Sequence, residues 1–203
     1  MTDKYRFSRR ETLAGAGAIA AAGAGALALP GTASALEVPL QGAMNPGHIL
    51  SAQLPPMLTD LPYLDEAGNK YWTGDLRGQP TLIVLWASNC GVCISHELPM
   101  MVRLKQTAAA QNFRILPIAL AYDTMPAMRR AMQRSIGDTS LGLYRMQDSR
   151  MFAELAPDVG LPRGTPSSAI VDANLRIRVV SLGRAFYDTA DGQRAMAYVV
   201  RNG

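Results

Sequence analysis

Residues 80–93 read PTLIVLWASNCGVC, and they carry the strongest structural signal in the chain. Its apolar first part, residues 80–85, predicts a buried strand. The stretch ends with Cys90 and Cys93, which are the only two cysteines among the 203 residues. The pair therefore falls where a strand ends and a helix begins. Thiols three positions apart close only a very short loop, so a purely structural disulfide here would gain little loop-closure entropy.

The spacing of the two cysteines predicts redox chemistry. A helix N-terminus presents unpaired N–H groups and the positive end of the helix dipole, which together favour a thiolate at Cys90. Cys93 follows one turn later, within reach of the first sulfur. We therefore predict that Cys90 attacks or releases a substrate sulfur and that Cys93 resolves the mixed disulfide.

Two other interpretations of the pair are a zinc half-site and an unreactive thiol pair. A structural zinc site usually has four protein ligands. The chain has no second cysteine pair, and its only histidines are His48 and His96. The sequence thus favours thiol–disulfide exchange, with no metal at the site.

The N-terminal residues 1–35 predict an export signal rather than part of the fold. An uncharged stretch rich in Ala and Gly runs over residues 12–29, and residues 33–35 (ASA) form a small-residue cleavage site. Within the leader, residues 8–13 (SRRETL) resemble a twin-arginine signal. Basic residues precede the apolar stretch at Lys4, Arg6, Arg9 and Arg10.

An uncleaved membrane anchor is the alternative to a cleaved signal, although about 18 weakly apolar residues is short for a span. In either case the rest of the chain is expected in the periplasm. Removing the leader's four basic and two acidic residues lowers the net charge from +4 to +2. This small charge gives no indication of a nucleic-acid partner.

The pattern of the remaining chain predicts one domain. Residues 36–57 lack periodicity and predict an extended lead-in that contains His48, so the folded domain is expected over 58–203. In chain order we predict short strands within 61–72 around a turn at 65–69, a strand at 80–85, a helix from Cys90 to about Gln106 bent at Pro99, a strand at 113–120, helices at 125–136 and 147–156, strands at 167–171 and 177–180 joined as a hairpin, and a helix at 191–201. This order predicts an α/β fold with a central mixed β-sheet flanked by helices.

Several short motifs together resemble a known family. They are Asp65 through Gly68, Leu76-Arg77-Gly78-Gln79-Pro80, Leu85 through Cys93, Glu97-Leu98-Pro99, Gly164-Thr165-Pro166 and Ala169-Ile170-Val171-Asp172. In this order and at these separations, they resemble the TlpA/ResA-like family of exported bacterial thioredoxin-fold proteins. The resemblance covers roughly residues 58–202 and implies a thioredoxin-like fold.

The resemblance also implies a substrate-binding segment at Thr165 and Pro166. Members of the family place a cis-proline opposite the cysteine pair, and the residue before it presents its backbone to the bound peptide. An exposed strand edge beside the disulfide can pair with an extended client segment. From the sequence alone, the alternative is an ordinary trans proline at the start of a strand, since few X–Pro bonds are cis.

The chain departs from the family pattern at four places. Asn89 stands where the family usually has tryptophan, Val92 replaces a common proline between the cysteines, and Gln79 replaces a lysine. Changes between the cysteines tune the reduction potential. The fourth departure is a displacement: the glutamate usually found three residues after the second cysteine is here Glu97, one position late, and His96 takes its place.

The displaced glutamate leaves the proton acceptor undecided. A shift of one residue moves a side chain by about 100° around a helix. Glu97 could still reach the resolving cysteine if the helix is locally overwound or bulged, and His96 could replace it. A solvated helix face is the alternative for both. Trp86, which ends a buried strand, is expected to be core packing.

Three functions follow from this reasoning. The first is a periplasmic thiol–disulfide oxidoreductase, expected to be a reductase with no cofactor beyond its own disulfide. The family resemblance implies client proteins such as apocytochrome c or copper-site proteins, a membrane thiol-electron donor, and a monomer.

The second function is a copper chaperone, because thiolates and an imidazole at Cys90, Cys93 and His96 suit Cu(I). The adjacent Met100 and Met101 would add soft ligands, whereas the spacing of Met125, Met128 and Met132 favours a packed helix face. The third function, a non-catalytic interaction domain, conflicts with the presence of both cysteines.

Overall fold

The computed structural model describes residues 48–49, 57–107, 112–148 and 164–202. The strands are β1 (His48–Ile49), β2 (Pro62–Leu64), β3 (Lys70–Trp72), β4 (Thr81–Trp86), β5 (Arg114–Ala119), β6 (Tyr144–Met146), β7 (Ser167–Val171) and β8 (Ile177–Leu182). The helices are a 3-10 turn (Thr73–Leu76), a π-helical turn (Cys93–Glu97), α1 (Leu98–Lys105), α2 (Met125–Ile136) and α3 (Ala190–Asn202). The predicted export signal lies outside the described residues and stays a prediction. None of the described helices is long and apolar enough to cross a membrane.

The strands form one mixed sheet in the order β1-β8-β7-β4-β5-β6-β2-β3. Strand β4 lies at its centre, parallel to β5 and antiparallel to β7, and all six of its residues are buried. The carboxyl ends of β4 and β5 therefore meet at the same edge of the sheet, where β7 begins. The predicted α/β architecture with a central mixed sheet is confirmed, and this edge carries the cysteines.

Two hydrophobic clusters cover the two faces of the sheet, because successive strand residues point to opposite sides. On β4, Leu82, Val84 and Trp86 belong to one cluster, and Ile83 and Leu85 belong to the other. The first cluster includes the buried apolar side chains of all three α-helices as well as Cys93. The cysteine pair is thus built against the larger core rather than on an isolated loop.

Helix α2 has the predicted bounds, and both of its ends have a physical cause. The Thr124 hydroxyl accepts a hydrogen bond from the Ala127 N–H at 3.3 Å, which caps the N-terminus. At the other end Gly137 has φ 83°, the left-handed conformation that terminates many helices. Met128 and Met132 are fully buried, so this methionine pattern is core packing, as the spacing predicted.

The structure extends the domain into the predicted lead-in. Residues His48–Ile49 pair with β8 as an antiparallel strand, and Met57 forms a bridge with Arg176. The boundary predicted at residue 58 is therefore too late, and His48 is not in an unstructured segment. A two-residue strand held by backbone hydrogen bonds has no side-chain periodicity for the sequence to display.

A second difference follows α2. Residues Tyr144–Met146 form β6, a strand that the sequence did not predict, and it pairs with β5 and β2. Of the helix predicted from Gln147 to Ala156, only residues 147–148 are described, and they are not helical. The Gln147 N–H instead donates to the Pro62 carbonyl at 3.4 Å, which continues the pairing with β2.

Candidate active site

Cys90 and Cys93 are joined by a disulfide at the carboxyl edge of β4, with their Cα atoms 5.2 Å apart. Cys90 directly precedes the first helical residue, Gly91, and is half-buried. Cys93 is fully buried. The two sulfurs therefore differ in access: a thiol from outside can approach Cys90 but not Cys93.

The helix N-terminus supplies a hydrogen bond to the outer sulfur. The backbone N–H of Cys93 points at the Cys90 Sγ at 3.2 Å, and the Ile94 N–H donates to the Cys90 carbonyl at 3.1 Å. In the reduced protein, the same N–H group and the helix dipole favour a thiolate on Cys90 over one on Cys93.

The loop before the cysteines is fixed by a buried carboxylate. The Ser88 N–H donates to Asp123 Oδ2 at 2.9 Å, and the Ser88 hydroxyl donates to Oδ1. Asp123 lies just beyond β5 and is only 5% exposed. The sequence analysis missed this residue, and the available signal was an acidic side chain shortly after a buried strand. The contact joins the loops that follow β4 and β5.

A π-helical turn, Cys93–Glu97, lies between the disulfide and α1. Its defining bond runs from the Leu98 N–H to the Cys93 carbonyl, five residues back. The Ile94 carbonyl, which an α-helix would pair with Leu98, accepts instead from the Ser135 hydroxyl of α2. This π-helical bulge adds one residue to the turn, which compensates for the one-residue displacement of Glu97 from its position in the family pattern.

Pro99 gives a physical reason for the wide turn at this place. A proline inside an α-helix lacks an N–H, and its ring clashes with the carbonyl four residues earlier, here that of Ser95. A wider turn before the proline relieves that clash. Regular α-helix then begins at Leu98, with the proline in its first turn. The structure thus has a change of helix type directly before Pro99, and the bend itself stays a prediction.

The bulge places Glu97 inside the core. Its side chain is fully buried, and Oε1 accepts a hydrogen bond from the Ala185 N–H at 2.9 Å. The second oxygen, Oε2, has no hydrogen-bond partner among the described residues. The solvated helix face considered for this residue is therefore wrong. A buried carboxylate with one open oxygen can take up a proton.

Burial raises the pKa of Glu97 from an ordinary value of 4.5 to about 7. The negative charge of Asp188 raises this pKa further, whereas the Ala185 N–H and the Arg184 charge lower it. The carboxyl group can therefore exchange a proton near neutral pH, which is what a proton acceptor in thiol exchange requires.

His96 is also turned inward, with its side chain only 14% exposed. Its Nε2 lies 3.0 Å from the Ala185 carbonyl oxygen. Because a carbonyl can only accept, the contact assigns the ring hydrogen to Nε2. The same nitrogen is 4.0 Å from Glu97 Oε1. A solvated face is wrong for His96 as well, and its Nε2 is a donor here rather than a proton acceptor.

The Thr165–Pro166 peptide bond is cis, as the family resemblance implied. Ser167, the first residue of β7, pairs with Leu85 near the end of β4. This register puts Pro166 at the edge of the sheet from which the chain runs to Cys90. The Pro166 carbonyl accepts from the Gly183 N–H at 2.9 Å, and Thr165 is partly exposed.

Solved structures of similar architecture come from several bacteria, whereas no family model matches the sequence. The thioredoxin domain of a Bacteroides vulgatus thiol-disulfide oxidoreductase superposes with a TM-score of 0.57 at 17% identity, covering 72% of this chain and 96% of that one. A thiol:disulfide interchange protein from Chlorobium tepidum gives 0.55 at 22% identity, covering 72% and 97%. A secreted Mycobacterium tuberculosis disulfide oxidoreductase homologous to Escherichia coli DsbE gives 0.50 at 18% identity, covering 68% and 94%. The fold is thioredoxin-like.

The core of this thioredoxin-like domain also contains buried polar side chains. The Ser168 hydroxyl lies 3.1 Å from the Tyr187 hydroxyl. Burial raises the pKa of Tyr187, and the charge of Glu97 raises it further. Trp86 is fully buried, as expected for core packing, but its Nε1 has no partner among the described residues. No sequence motif marked Tyr187 or Ala185.

Glu97 makes the stability of the domain depend on pH. The folded state keeps the proton up to a pKa of about 7, whereas the unfolded chain releases it at 4.5, so stability falls as pH rises through this window. A Glu97→Gln variant has no charge to bury. It should exceed the wild type in stability above pH 7 by up to about 3 kcal/mol, and the gain should vanish below pH 4.5.

Urea unfolding of the oxidised protein at about pH 5 and about pH 8 measures this difference. Glu66→Gln is the matched control, because Glu66 is exposed and paired with Arg129 on the surface. A gain for Glu97→Gln that is the same at both pH values would contradict the assigned pKa.

Proposed function

We propose that this protein is a thiol–disulfide oxidoreductase that reduces disulfides of client proteins. The observation that carries the proposal is the Cys90–Cys93 disulfide, in which the outer sulfur is accessible and the inner one is fully buried. This asymmetry suits a pair in which one thiol meets the client and the other releases it. The disulfide is the redox group, and the proposed reaction uses no other cofactor.

The reaction starts from the dithiol form. The Cys90 thiolate attacks one sulfur of the client disulfide, which forms a mixed disulfide and releases the first client thiolate. Cys93 then loses its proton and attacks Cys90 Sγ, which closes the Cys90–Cys93 bond and releases the second client thiolate. The client gains two electrons and, after protonation, carries two thiols. A thiol donor of the membrane returns the two electrons to the cysteine pair.

Glu97 is the proposed proton acceptor for Cys93. Both residues belong to the same π-helical turn, and Glu97 Oε2 lacks a partner among the described residues. With a pKa of about 7, this carboxylate can accept the thiol proton when Cys93 attacks and return it in the reverse direction. Glu97 is proposed in preference to His96, because His96 is held by donation of its Nε2 hydrogen to the Ala185 carbonyl, whereas Glu97 has a buried oxygen without a partner among the described residues.

Thr165 and Pro166 are the proposed docking segment for the client. The backbone of Thr165 would pair with an extended client peptide beside Cys90. We propose that the domain acts as a monomer outside the cytoplasm, after export by the signal in residues 1–35. Its proposed clients are exported proteins with cysteine pairs, such as apocytochrome c or copper-site proteins, and maturation of cytochrome c is one such task.

No observation favours the copper chaperone. The third ligand considered, His96, donates its Nε2 hydrogen to a carbonyl, and Met100 and Met101 are packed in the core. In the described part of the chain, no three His, Cys, Asp or Glu side chains form a group that could hold a metal ion. Binding of Cu(I) by the cysteine pair is tested together with its reduction potential.

The reduction potential of the Cys90–Cys93 pair, measured in glutathione and dithiothreitol buffers, tests the proposal. We expect a value below about −220 mV, nearer thioredoxin than the oxidant DsbA. A potential near about −120 mV would make the protein an oxidant instead. The measurement is repeated with one equivalent of Cu(I). Tight Cu(I) binding that is lost in Cys90→Ser would contradict the reductase proposal and support the copper chaperone.

A further inference from the structure

One residue, Ala185, is bound at both of its backbone polar groups by two neighbouring side chains. Its N–H donates to Glu97 Oε1 at 2.9 Å, and its carbonyl accepts from His96 Nε2 at 3.0 Å. Ala185 is itself only 3% exposed and belongs to the segment that connects β8 with α3. The π-helical turn and this segment, nearly 90 residues apart in sequence, are thus joined by two hydrogen bonds at one point.

The π-helical turn makes the double contact possible. It carries His96 and Glu97 at adjacent positions, and both side chains reach the same residue of the neighbouring segment. Ser135 of α2 also supports the turn, through the Ile94 carbonyl. The turn is therefore bonded both to α2 and to the segment before α3, and His96 provides one of the contacts to that segment.

We propose that His96 is a positioning residue that fixes the Glu97 carboxylate through Ala185 and shields it from solvent. The contacts of His96 do not depend on the proposed function. Only their purpose rests on it, since a fixed and shielded carboxylate would serve the proton transfer from Cys93. His96 holds the Ala185 carbonyl, so the Ala185 N–H stays aimed at Glu97 Oε1. The imidazole also lies 4.0 Å from that oxygen and forms part of its cover.

The other groups near Glu97 do not provide the same cover. On the segment before α3, Arg184 and Asp188 act on the carboxylate through their charges, and the Tyr187 hydroxyl is coupled to it electrostatically. On the sheet, Ser168 is engaged with that hydroxyl. On the same helix, Cys93 is in the disulfide. His96 alone among these binds the residue that binds Glu97.

Removal of the imidazole should lower the pKa of Glu97. Burial is the largest cause of the raised pKa, so water admitted beside Glu97 should lower it. A looser Ala185 N–H bond would raise the pKa, but this effect should be smaller. In His96→Ala we expect a fall of about one unit, towards the ordinary value of a carboxyl group. In His96→Gln the side-chain amide can place an N–H near the position of Nε2, and the pKa should stay near that of the wild type.

The experiment is a pH titration of the Glu97 carboxyl carbon by NMR, in the oxidised full-length protein. His96→Ala and His96→Gln are compared with Ser95→Ala, an exposed residue of the same turn that serves as the matched control. His96→Asn, whose amide is too short to reach Ala185, replaces His96→Ala if that variant does not fold. We expect a downward shift for Ala and Asn, and little change for Gln and for the control.

Two results would overturn the inference. The first is an unchanged Glu97 pKa in His96→Ala or His96→Asn, which would show that His96 neither fixes nor covers the carboxylate. The second is a shift in His96→Gln as large as in His96→Ala, which would assign the effect to the bulk of the imidazole ring rather than to its hydrogen bond with the Ala185 carbonyl. The titration uses neither client nor reductant, so its result is independent of whether the reductase function is correct.

Discussion

A Cys93→Ser variant should accumulate as a mixed disulfide with its client through Cys90. The outer sulfur is accessible and lies at a helix N-terminus, where the Cys93 backbone N–H supports a thiolate. The serine keeps that N–H but cannot attack the mixed disulfide, so the second step stops. Non-reducing gel electrophoresis and mass spectrometry of the trapped species measure the result.

Cys90→Ser is the matched control and should trap no client, because the remaining thiol, Cys93, is fully buried. Both variants should lose disulfide-reductase activity by about 10³-fold or more, as expected when a nucleophile is removed. Equal trapping by the two variants would show that Cys93 is accessible, and the assignment of the attacking and resolving cysteines would then be wrong.

Asp172→Ala should destabilise the domain by about 3–5 kcal/mol. The Asp172 carboxylate is fully buried in the turn between β7 and β8. Its Oδ1 accepts from the Asn174 and Arg176 N–H groups at 2.8 and 2.9 Å, and its Oδ2 accepts from Arg178 Nε at 2.6 Å. Alanine removes all three bonds and leaves a guanidinium, only 12% exposed, without its carboxylate.

The turn itself adds to the expected loss. Leu175 has φ 66°, a left-handed conformation that disfavours a leucine, and the Asp172 bonds on either side of it hold the chain in that shape. Urea unfolding of the oxidised protein measures the effect. The control is Asp191→Ala, which removes an exposed pair with Arg194 and should cost at most about 1 kcal/mol. Similar losses of unfolding free energy in both variants would show that the buried Asp172 carboxylate stabilises the domain no more than an exposed one.

The sequence predicted the parts of the fold that have a strong periodic pattern. Strand β4 follows from an uninterrupted apolar run, and helix α2 follows from the helical spacing of its apolar residues. The hairpin of β7 and β8 follows from two apolar strands around a turn that begins at Asp172. The cis bond before Pro166 came from the family resemblance. Strand β6 was missed because three residues are too few to show alternation and no hairpin turn marks it, as the turn at 65–69 marks the equally short β2 and β3.

The register of Glu97 could not be predicted because it depends on distant contacts. An α-helix and a helix with one π-helical turn differ by about one residue in phase, and the sequence permits both. The choice is made by the Ser135 hydroxyl, 41 residues from Ile94, and by Ala185, 88 residues from Glu97. Pro99 was a local signal for an irregular turn, but it did not indicate which side chain would be buried.

The pairing of β1 with β8 limits how far the N-terminus of the domain can be truncated. Its two residues, His48–Ile49, cover part of the outer edge of β8. A chain that begins at the sequence-predicted boundary, residue 58, would leave this edge with free N–H and carbonyl groups. Uncovered edges template pairing with another copy, and such pairing leads to aggregation. Strand β1 therefore protects part of this edge against pairing with another copy.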